Sequence, residues 1–364
     1  MIKPVSKLAR NDLHGKKILL RVDFNVPVEN GKVSEIYRLE TNKKAIDFFH
    51  SSGAITVLVS HITAIKSFKN IIGDIENAIG RKFVFLNDLR NLGKKLADAE
   101  PDDLFLLDNI RQYEGEEKND AAFARRLAKP FDIYVNNAFS VSHRDHASMV
   151  AVAGLLPAYG GPLLMDELEN FEKAVKLPLE NKTLIIGGAK VSTKLPVIEN
   201  FLDKAEHILI GGVIANVFLK AGGMDIGKSE VDDDYLPRAK KYLGIHKELA
   251  IPKDFVIKNK MILDIGPKTV AEFEKIIGGS TTVIWDGPLG KLEIPEFAAG
   301  TEKIASAVAD SAAFSIVGGG DTIAVLESLK IMKKINYVSP SGGAMLEFLA
   351  GGHLPGLAAL GYYD

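Results

Sequence analysis

The segment TLIIGGAKVSTK (183–194) shows the arrangement that decides the fold. Four residues typical of a buried strand are followed by two glycines and then by a stretch with helical spacing. Short apolar runs that end in glycine favour strands buried on both faces of a parallel sheet. The segment therefore predicts a strand, a tight turn and a helix, which is the repeating unit of α/β proteins.

The same unit recurs along the chain. The strand-like runs are KILLRV (17–22), AITVLVS (54–60), DLFLL (103–107), DIYV (132–135), TLII (183–186), HILI (207–210), TVIW (282–285) and FSIV (314–317). Segments with helical periodicity lie between them, at 41–50, 123–128, 194–204, 269–277 and 298–309. This alternation predicts parallel sheets with helices on both faces.

The length indicates more than one domain. A chain of 364 residues exceeds what a single hydrophobic core usually holds. A stretch punctuated by glycine and proline, 156–162, is the best candidate for a boundary. We therefore expect two α/β lobes of similar size.

Composition excludes several classes of protein. With 46% hydrophobic and 25% charged residues the chain is an ordinary globular protein, and a net charge of -2 gives no general field for nucleic acid. The absence of cysteine excludes disulfides and thiolate metal sites. No stretch reaches the ~18 apolar residues of a membrane span, and the first residues lack the apolar core of a signal peptide. We expect a cytoplasmic protein with no nucleic-acid or membrane partner.

Small-residue turns follow five strands in the second half of the chain. They are Gly187-Gly188-Ala189-Lys190, Gly211-Gly212, Asp286-Gly287-Pro288, Gly318-Gly319-Gly320-Asp321-Thr322 and Ser339-Pro340-Ser341-Gly342-Gly343. One glycine pair would indicate only a turn, but five at the same sheet edge predict a crevice lined by backbone N–H groups and suited to a polyphosphate. No GxxxxGK[ST] motif is present, so this is not a P-loop.

Two kinds of charged side chain accompany these turns. Lys190 and Lys194 are four residues apart at a predicted helix start, where they either form a solvated surface pair or face an anion together. Asp321 follows three glycines and could cap a helix, hold Mg²⁺, or do both.

The first half carries a different set of polar residues. Asp23 and Asn25 follow the first strand, and cationic or imidazole side chains follow later strands at Arg38, His61, Arg111, His143, Arg144 and His146. Singly, each is more often a surface or core hydrogen-bonding residue, and we retain that interpretation for His146. Convergence of Arg38, His61, Arg111 and Arg144 is better explained by a small substrate with several negative charges.

These motifs together resemble the phosphoglycerate kinase family. The matching segments are RVDFNVP (21–27), GGAKVSTK (187–194), LDIGPKT (263–269), WDGPLG (285–290), GGGDT (318–322) and SGGAMLEFLAGGHLPGLAAL (341–360), in the family's order along the chain. The resemblance implies two Rossmann-like lobes, each a parallel sheet flanked by helices, with a hinge and cleft between them. The implied lobes are residues 1–157 for phosphoglycerate and 158–347 for nucleotide, with the tail, about 348–364, joining the first lobe.

The resemblance also implies roles for particular residues. The substrate-binding set is Asp23, Asn25, Arg38, His61, Arg111 and Arg144, and the implied catalytic set is Arg38, Lys190, Lys194, Gly319 and Gly342. The nucleotide-binding set is Gly188, Lys190, Lys194, Gly212, Asp286, Pro288, Glu293, Gly318, Gly319, Gly320, Asp321 and Thr322, with Gly343 at the neighbouring helix end. Asp321 is the implied Mg²⁺ ligand.

Three positions depart from the family pattern. SHLGRP is replaced by SHITAI (60–65), so Ala64 stands where an arginine that contacts substrate phosphate is usual. WNGP is replaced by WDGP, which places the carboxylate of Asp286 near the nucleotide phosphates. STGGGA is replaced by SPSGGA (339–344).

The resemblance implies reversible, Mg²⁺-dependent phosphoryl transfer between 1,3-bisphosphoglycerate and ADP, giving 3-phosphoglycerate and ATP. We expect a monomer whose partners are these small molecules. An alternative, motivated by Ala64 and Asp286, is a weakened relative that senses or binds nucleotide. A dinucleotide-dependent dehydrogenase is a more distant alternative, because no GxGxxG follows a strand with an acidic residue ~20 residues later.

Overall fold

The apolar runs of the sequence form two parallel six-stranded sheets. The computed structural model describes all 364 residues. The chain divides into unit 1, which comprises Met1–Glu169 and His353–Asp364, and unit 2, which comprises Asn170–Gly352. The domain borders expected at 157/158 and 347/348 remain predictions.

Unit 1 contains one main sheet with strand order β5-β6-β4-β1-β7-β8, in which every pair is parallel. The strands are β1 Lys17–Arg21, β2 Val28–Glu29, β3 Lys32–Val33, β4 Ile55–Val59, β5 Val84–Leu86, β6 Leu104–Leu107, β7 Ile133–Asn136 and β8 Ala158–Gly160. β2 and β3 form a separate hairpin. The helices are α1 Arg10–Leu13, α2 Tyr37–Glu40, α3 Lys43–His50, α4 Ile72–Ile79, α5 Leu92–Ala97, α6 Glu114–Glu117, α7 Ala121–Ala128 and α8 Pro162–Lys176, which continues into unit 2.

Unit 2 repeats this architecture with strand order β11-β10-β9-β14-β15-β16, again all parallel. The strands are β9 Lys182–Ile186, β10 His207–Ile210, β11 Leu249–Ala250, β12 Phe255–Lys258, β13 Met261–Ile265, β14 Thr282–Asp286, β15 Phe314–Gly318 and β16 Tyr337–Ser339. β12 and β13 form an antiparallel hairpin. The helices are α9 Val191–Phe201, α10 Gly212–Ala221, α11 Leu236–Tyr242, α12 Pro267–Gly279, α13 Ala299–Asp310, α14 Gly320–Ser328 and α15 Gly342–Leu349, and α16 Pro355–Ala358 lies in unit 1.

The main strands are apolar throughout because helices cover both faces of each sheet. In β1, Ile18 and Leu20 belong to one core cluster while Leu19 belongs to another. Successive side chains of a strand point to opposite faces, so both clusters are needed to bury the run. This confirms the predicted α/β fold with two lobes. No helix is both long enough and apolar enough to cross a membrane.

Candidate active site

A cavity of about 270 Å³ lies at the carboxyl ends of the strands in unit 2. Five residues of the expected nucleotide-binding set line it, namely Gly188, Gly212, Pro288, Glu293 and Asp321. Strands β10, β9 and β14 are neighbours in the sheet, so the turns that follow them meet at one edge. The structure therefore brings together the turns that the sequence singled out.

Glycine is required where the loops of this cavity touch. A Cβ atom on Gly187 would lie 2.1 Å from the carbonyl oxygen of Pro288, which no side chain could accommodate. Gly188 has φ +89°, a region that L-residues rarely adopt. The glycine pair thus allows the β9 and β14 loops to pack directly against each other.

Lys194 lies in the first turns of α9, and its ammonium contacts the carboxylate of Asp286 at the end of β14. Both side chains are largely buried. Burial lowers the pKa of Lys194 to about 8; the carboxylate of Asp321 opposes that shift, and nearby Lys190 adds to it. The direct contact with Asp286 favours the charged ammonium. Lys190 is exposed and immediately precedes the helix.

The carboxylate of Asp286 also lies against two helix starts. Cβ atoms built on Gly319 and Gly342 would each lie 3.3 Å from one of its oxygens. Gly319 precedes α14, and Gly342 begins α15. Helix N-termini carry partial positive charge, so this is a place that attracts anions. Oδ2 of Asp286 is buried and has no hydrogen-bond partner.

The remaining residues of the nucleotide set occupy the same turns. Asp321 is exposed in the first turn of α14, whose N-cap is Gly319, so Asp321 is not the helix cap. Thr322 is buried, and its hydroxyl accepts a hydrogen bond from the N–H of Gly287 at 3.0 Å. That contact joins the β14 loop to the start of α14.

Sequence reasoning assigned no role to two cavity residues. Asp264 is buried and accepts hydrogen bonds from the N–H groups of Gly300 at 2.7 Å and Ile265 at 2.9 Å. Burial raises the pKa of Asp264 to about 6, although the two hydrogen bonds favour the ionised carboxylate and act to lower it. Asn216 donates from Nδ2 to the carbonyl of Glu230 at 2.9 Å. The motif LDIGPKT contained Asp264, whereas nothing in the local pattern pointed to Asn216.

In unit 1, the polar residues after β1 are held by a short network. Arg38 forms an ion pair with Oδ2 of Asp23 at 3.0 Å, and the hydroxyl of Ser140 donates to the same oxygen at 2.5 Å. Burial opposes ionisation of Asp23, but the charge of Arg38 and these hydrogen bonds give it a lowered pKa. Oδ1 of Asn25 accepts from both the backbone N–H and the hydroxyl of Thr63, each at 2.9 Å.

Two arginines of unit 1, Arg21 and Arg111, lie close to His61. Burial lowers the pKa of His61 to about 3, and Arg21 and Arg111 are close enough to lower it further. Burial, Arg21 and Arg144 also lower the pKa of Arg111, whose Nε lies 3.1 Å from Oε1 of Glu117. Asp23, Arg38, His61, Arg111 and Arg144 therefore form one electrostatically linked group. His146 is buried, and its Nδ1 lies 3.9 Å from Oε1 of Glu116, which is beyond hydrogen-bond distance, so its interpretation as a core hydrogen-bonding residue stays a prediction.

Comparison with known proteins decides between the candidate functions. The sequence model of the family described as phosphoglycerate kinase matches residues 8–352. The chain belongs to this family. It is 39% identical to the phosphoglycerate kinase of Dictyoglomus turgidum over 98% of each chain, and 40% identical to that of Rubrobacter xylanophilus over 96% of each.

Solved structures agree with this assignment. The phosphoglycerate kinase of Pyrococcus horikoshii superimposes with a TM-score of 0.90 at 29% identity, covering 99% of both chains. That of Coxiella burnetii gives a TM-score of 0.82 at 34% identity over the full length of both. The chain is thus a kinase that transfers a phosphoryl group to the carboxyl group of 3-phosphoglycerate, with ATP and ADP as nucleotide substrates. Neither the weakened relative nor the dehydrogenase finds support.

Proposed function

We propose that this family activity is divided between two sites, with the phosphoglycerate bound by the polar group of unit 1 and the nucleotide by the cavity of unit 2. The observation that carries the proposal is the cavity itself, which unites Gly188, Gly212, Pro288, Glu293 and Asp321. Its volume of about 270 Å³ and its mixture of glycine turns and apolar walls suit a nucleotide. Glu293, at its edge, would accept hydrogen bonds from the ribose hydroxyls.

The group in unit 1 suits a small acid with a carboxylate and a phosphate. Arg38, Arg111 and Arg144 each offer planar guanidinium donors, which pair well with both kinds of anion. Asp23 would accept from the substrate hydroxyl while it holds Arg38. Asn25 is oriented through its carbonyl oxygen by Thr63, which leaves the amide N–H groups to donate.

The chemistry requires stabilisation of charge rather than a general base. In the direction of ATP synthesis the donor is an acyl phosphate, and the attacking oxygen belongs to the ionised ADP, so no side chain has to remove a proton. Charge spreads over the phosphoryl oxygens during transfer. Lys190, Lys194, Arg38 and the helix-end N–H groups at Gly319 and Gly342 would offset that charge.

The residues of unit 2 suit a Mg²⁺ ion that binds together with the nucleotide. No group of three or more histidine, aspartate or glutamate side chains could hold a metal ion by itself. Mg²⁺ is typically held by one or two carboxylates together with substrate phosphates. Asp321 would supply one carboxylate, and the unpartnered Oδ2 of Asp286 adds negative charge nearby. The bound ion would neutralise the phosphates and orient them.

Further expectations belong to this proposal. They are dependence on Mg²⁺, a monomeric state and a cytoplasmic location, the last supported by the absence of cysteine. The predicted hinge is also retained, because phosphoryl transfer requires both ligands to reach bonding distance.

A crossed binding experiment tests the division of labour. Isothermal titration with 3-phosphoglycerate and with Mg-ADP is performed on wild type, Arg38→Ala and Lys194→Ala. We expect Arg38→Ala to weaken only 3-phosphoglycerate and Lys194→Ala to weaken only Mg-ADP, each by about 10-fold or more, since a charged hydrogen bond contributes ~1.5–3 kcal/mol. If one variant weakens both ligands equally, or the effects are exchanged, the assignment of sites is wrong.

A further inference from the structure

Arg21, the last residue of β1, lies behind His61 and is almost completely buried at 1% exposure. Its Nη2 lies 3.2 Å from Nδ1 of His61. Its Nη1 donates to the backbone carbonyls of Val22 and Val59, and its Nε donates to the hydroxyl of Ser148 at 3.0 Å. The guanidinium is therefore fixed on three sides.

This contact determines the protonation state of His61. A guanidinium only donates hydrogen bonds, so Nδ1 of His61 has to accept and cannot carry a proton. The ring proton is then on Nε2. This nitrogen has no hydrogen-bond partner in the protein, and it is not fully buried. His61 is thus neutral and offers one N–H donor.

The charges around His61 agree with a neutral ring. Burial and Arg21 are the main causes that lower its pKa to about 3. Arg111 and His146 lower it further, and among the neighbouring groups only Asp23 favours the protonated ring.

A second layer holds Arg21. The hydroxyl of Ser148 accepts from Arg21 and donates to Oε1 of Glu116 at 2.6 Å, while the N–H of Ser148 donates to Oε2 at 3.0 Å. Ser148 is 2% exposed and Glu116 is fully buried. Burial raises the pKa of Glu116, whereas the charge of Arg21 and the two hydrogen bonds from Ser148 oppose that rise and favour the carboxylate. His146 approaches the same carboxylate, with Nδ1 3.9 Å from Oε1.

We propose that Glu116, Ser148 and Arg21 act as a relay of positioning residues that keeps His61 neutral with its proton on Nε2, so that this N–H donates to the bound phosphoglycerate. The proposal rests on the substrate site assigned above to unit 1. It gives a function in the known reaction to three residues that are buried and therefore do not contact the substrate themselves. A protonated His61 would donate as well, but it would place two donors against each other at Nδ1 and misalign the ring.

The test combines ¹⁵N NMR of the histidine rings with kinetics on the full-length enzyme. The His61 signals are identified by their loss in His61→Gln. In wild type we expect the Nδ1 shift of an unprotonated nitrogen and the Nε2 shift of a protonated one, unchanged from pH 8 to pH 5. In Ser148→Ala we expect a mixture of tautomers or a titration within that range, and a KM for 3-phosphoglycerate raised by about three- to tenfold while KM for ATP is unchanged.

Matched variants separate positioning from simple loss of structure. Ser148→Thr retains the hydroxyl and should restore both the single tautomer and the wild-type KM. Glu116→Gln keeps the shape but removes the charge, and should shift the His61 signals toward those of Ser148→Ala. The proposal is overturned if wild-type His61 is protonated on Nδ1, if Ser148→Ala leaves the tautomer unchanged, or if Ser148→Thr behaves like Ser148→Ala. Failure of 3-phosphoglycerate to move the wild-type Nε2 signal would contradict the substrate-site assignment instead.

Discussion

The ammonium of Lys194 contacts the carboxylate of Asp286, and the exposed fractions of the two side chains are only 14% and 5%. We expect Lys194 to bind nucleotide phosphates. In this structure its partner is an anion of the protein itself, the carboxylate of Asp286. Asp286 also lies against the helix starts at Gly319 and Gly342. The carboxylate therefore occupies surroundings that favour a phosphoryl group.

Asp286→Asn should tighten the binding of ADP in the absence of Mg²⁺, by about 10-fold, because Lys194 loses a competing anion and the phosphates lose a repelling one. With Mg²⁺ the gain should shrink, since the carboxylate then faces a cation. Isothermal titration in EDTA and in excess Mg²⁺ measures both. Asp310→Asn, an exposed carboxylate paired with Lys334, is the control for net charge. Equal or weaker ADP binding by Asp286→Asn in EDTA would contradict competition.

Lys190→Ala should lower kcat by about 100-fold or more while each KM changes much less, because the charge is needed chiefly where the phosphoryl group is transferred. Lys190 is exposed beside the buried Lys194, which suits a residue that acts on a transient charge. Steady-state kinetics with both substrates varied provide the test, and Lys220→Ala, a partly exposed lysine of α10 paired with Asp233, is the control. An unchanged kcat would remove Lys190 from the mechanism.

Ala64→Arg should lower KM for 3-phosphoglycerate by about 10-fold and leave KM for ATP unchanged, because a guanidinium would restore a charged contact with phosphate. Ala64 and Lys66 are both exposed, so either position can present a side chain to solvent. Lys66→Ala should raise the same KM if Lys66 substitutes in part for the missing arginine. Lys69→Ala, an exposed lysine in the short 3₁₀ helix Phe68–Asn70 that follows, is the control. No effect of Ala64→Arg together with a silent Lys66→Ala would show that this segment is placed wrongly.

His146 should make the protein less stable in acid. Burial and the charge of Arg111 lower its pKa to about 4 in the folded state, below the ordinary value of 6.5. Between these values the unfolded chain binds the proton and the folded chain does not, so stability falls as pH falls from about 6.5 to 4. Urea unfolding at pH 7 and at pH 5 measures how much the free energy of unfolding falls on acidification. That decrease should be smaller in His146→Gln than in wild type, by up to about 1–2 kcal/mol. Parallel losses in both proteins would contradict this assignment.

Much of the fold could be predicted because burial leaves a simple pattern. Each of the eight strand-like runs forms a strand, since a strand covered on both faces is apolar throughout. Short edge strands such as Val84–Leu86 and Leu249–Ala250 were missed, because two or three residues carry no usable periodicity. The helix predicted at 194–204 is Val191–Phe201, shifted because the pattern does not show that Lys190 is its N-cap.

The site was predictable only to the extent that its residues lie at strand ends. The strand-end positions indicated that Asp23 and Arg38 would lie at one edge of the sheet, but not that these residues, 15 apart in the chain, form an ion pair. Ser140, Ser148 and Glu116 gave no signal, because a buried hydrogen-bond network depends on contacts between distant segments. Arg21 is part of the motif RVDFNVP (21–27), but the motif alone indicated no role for it.

The phosphoryl transfer itself is measured as the rate of ATP formation from 1,3-bisphosphoglycerate and Mg-ADP, in a coupled assay with wild type, Arg38→Ala and Lys190→Ala. We expect a turnover of about 1–100 s⁻¹ for wild type, as is typical of kinases, and a loss of about 100-fold or more in each variant. Wild-type turnover no greater than that of the two variants would contradict it.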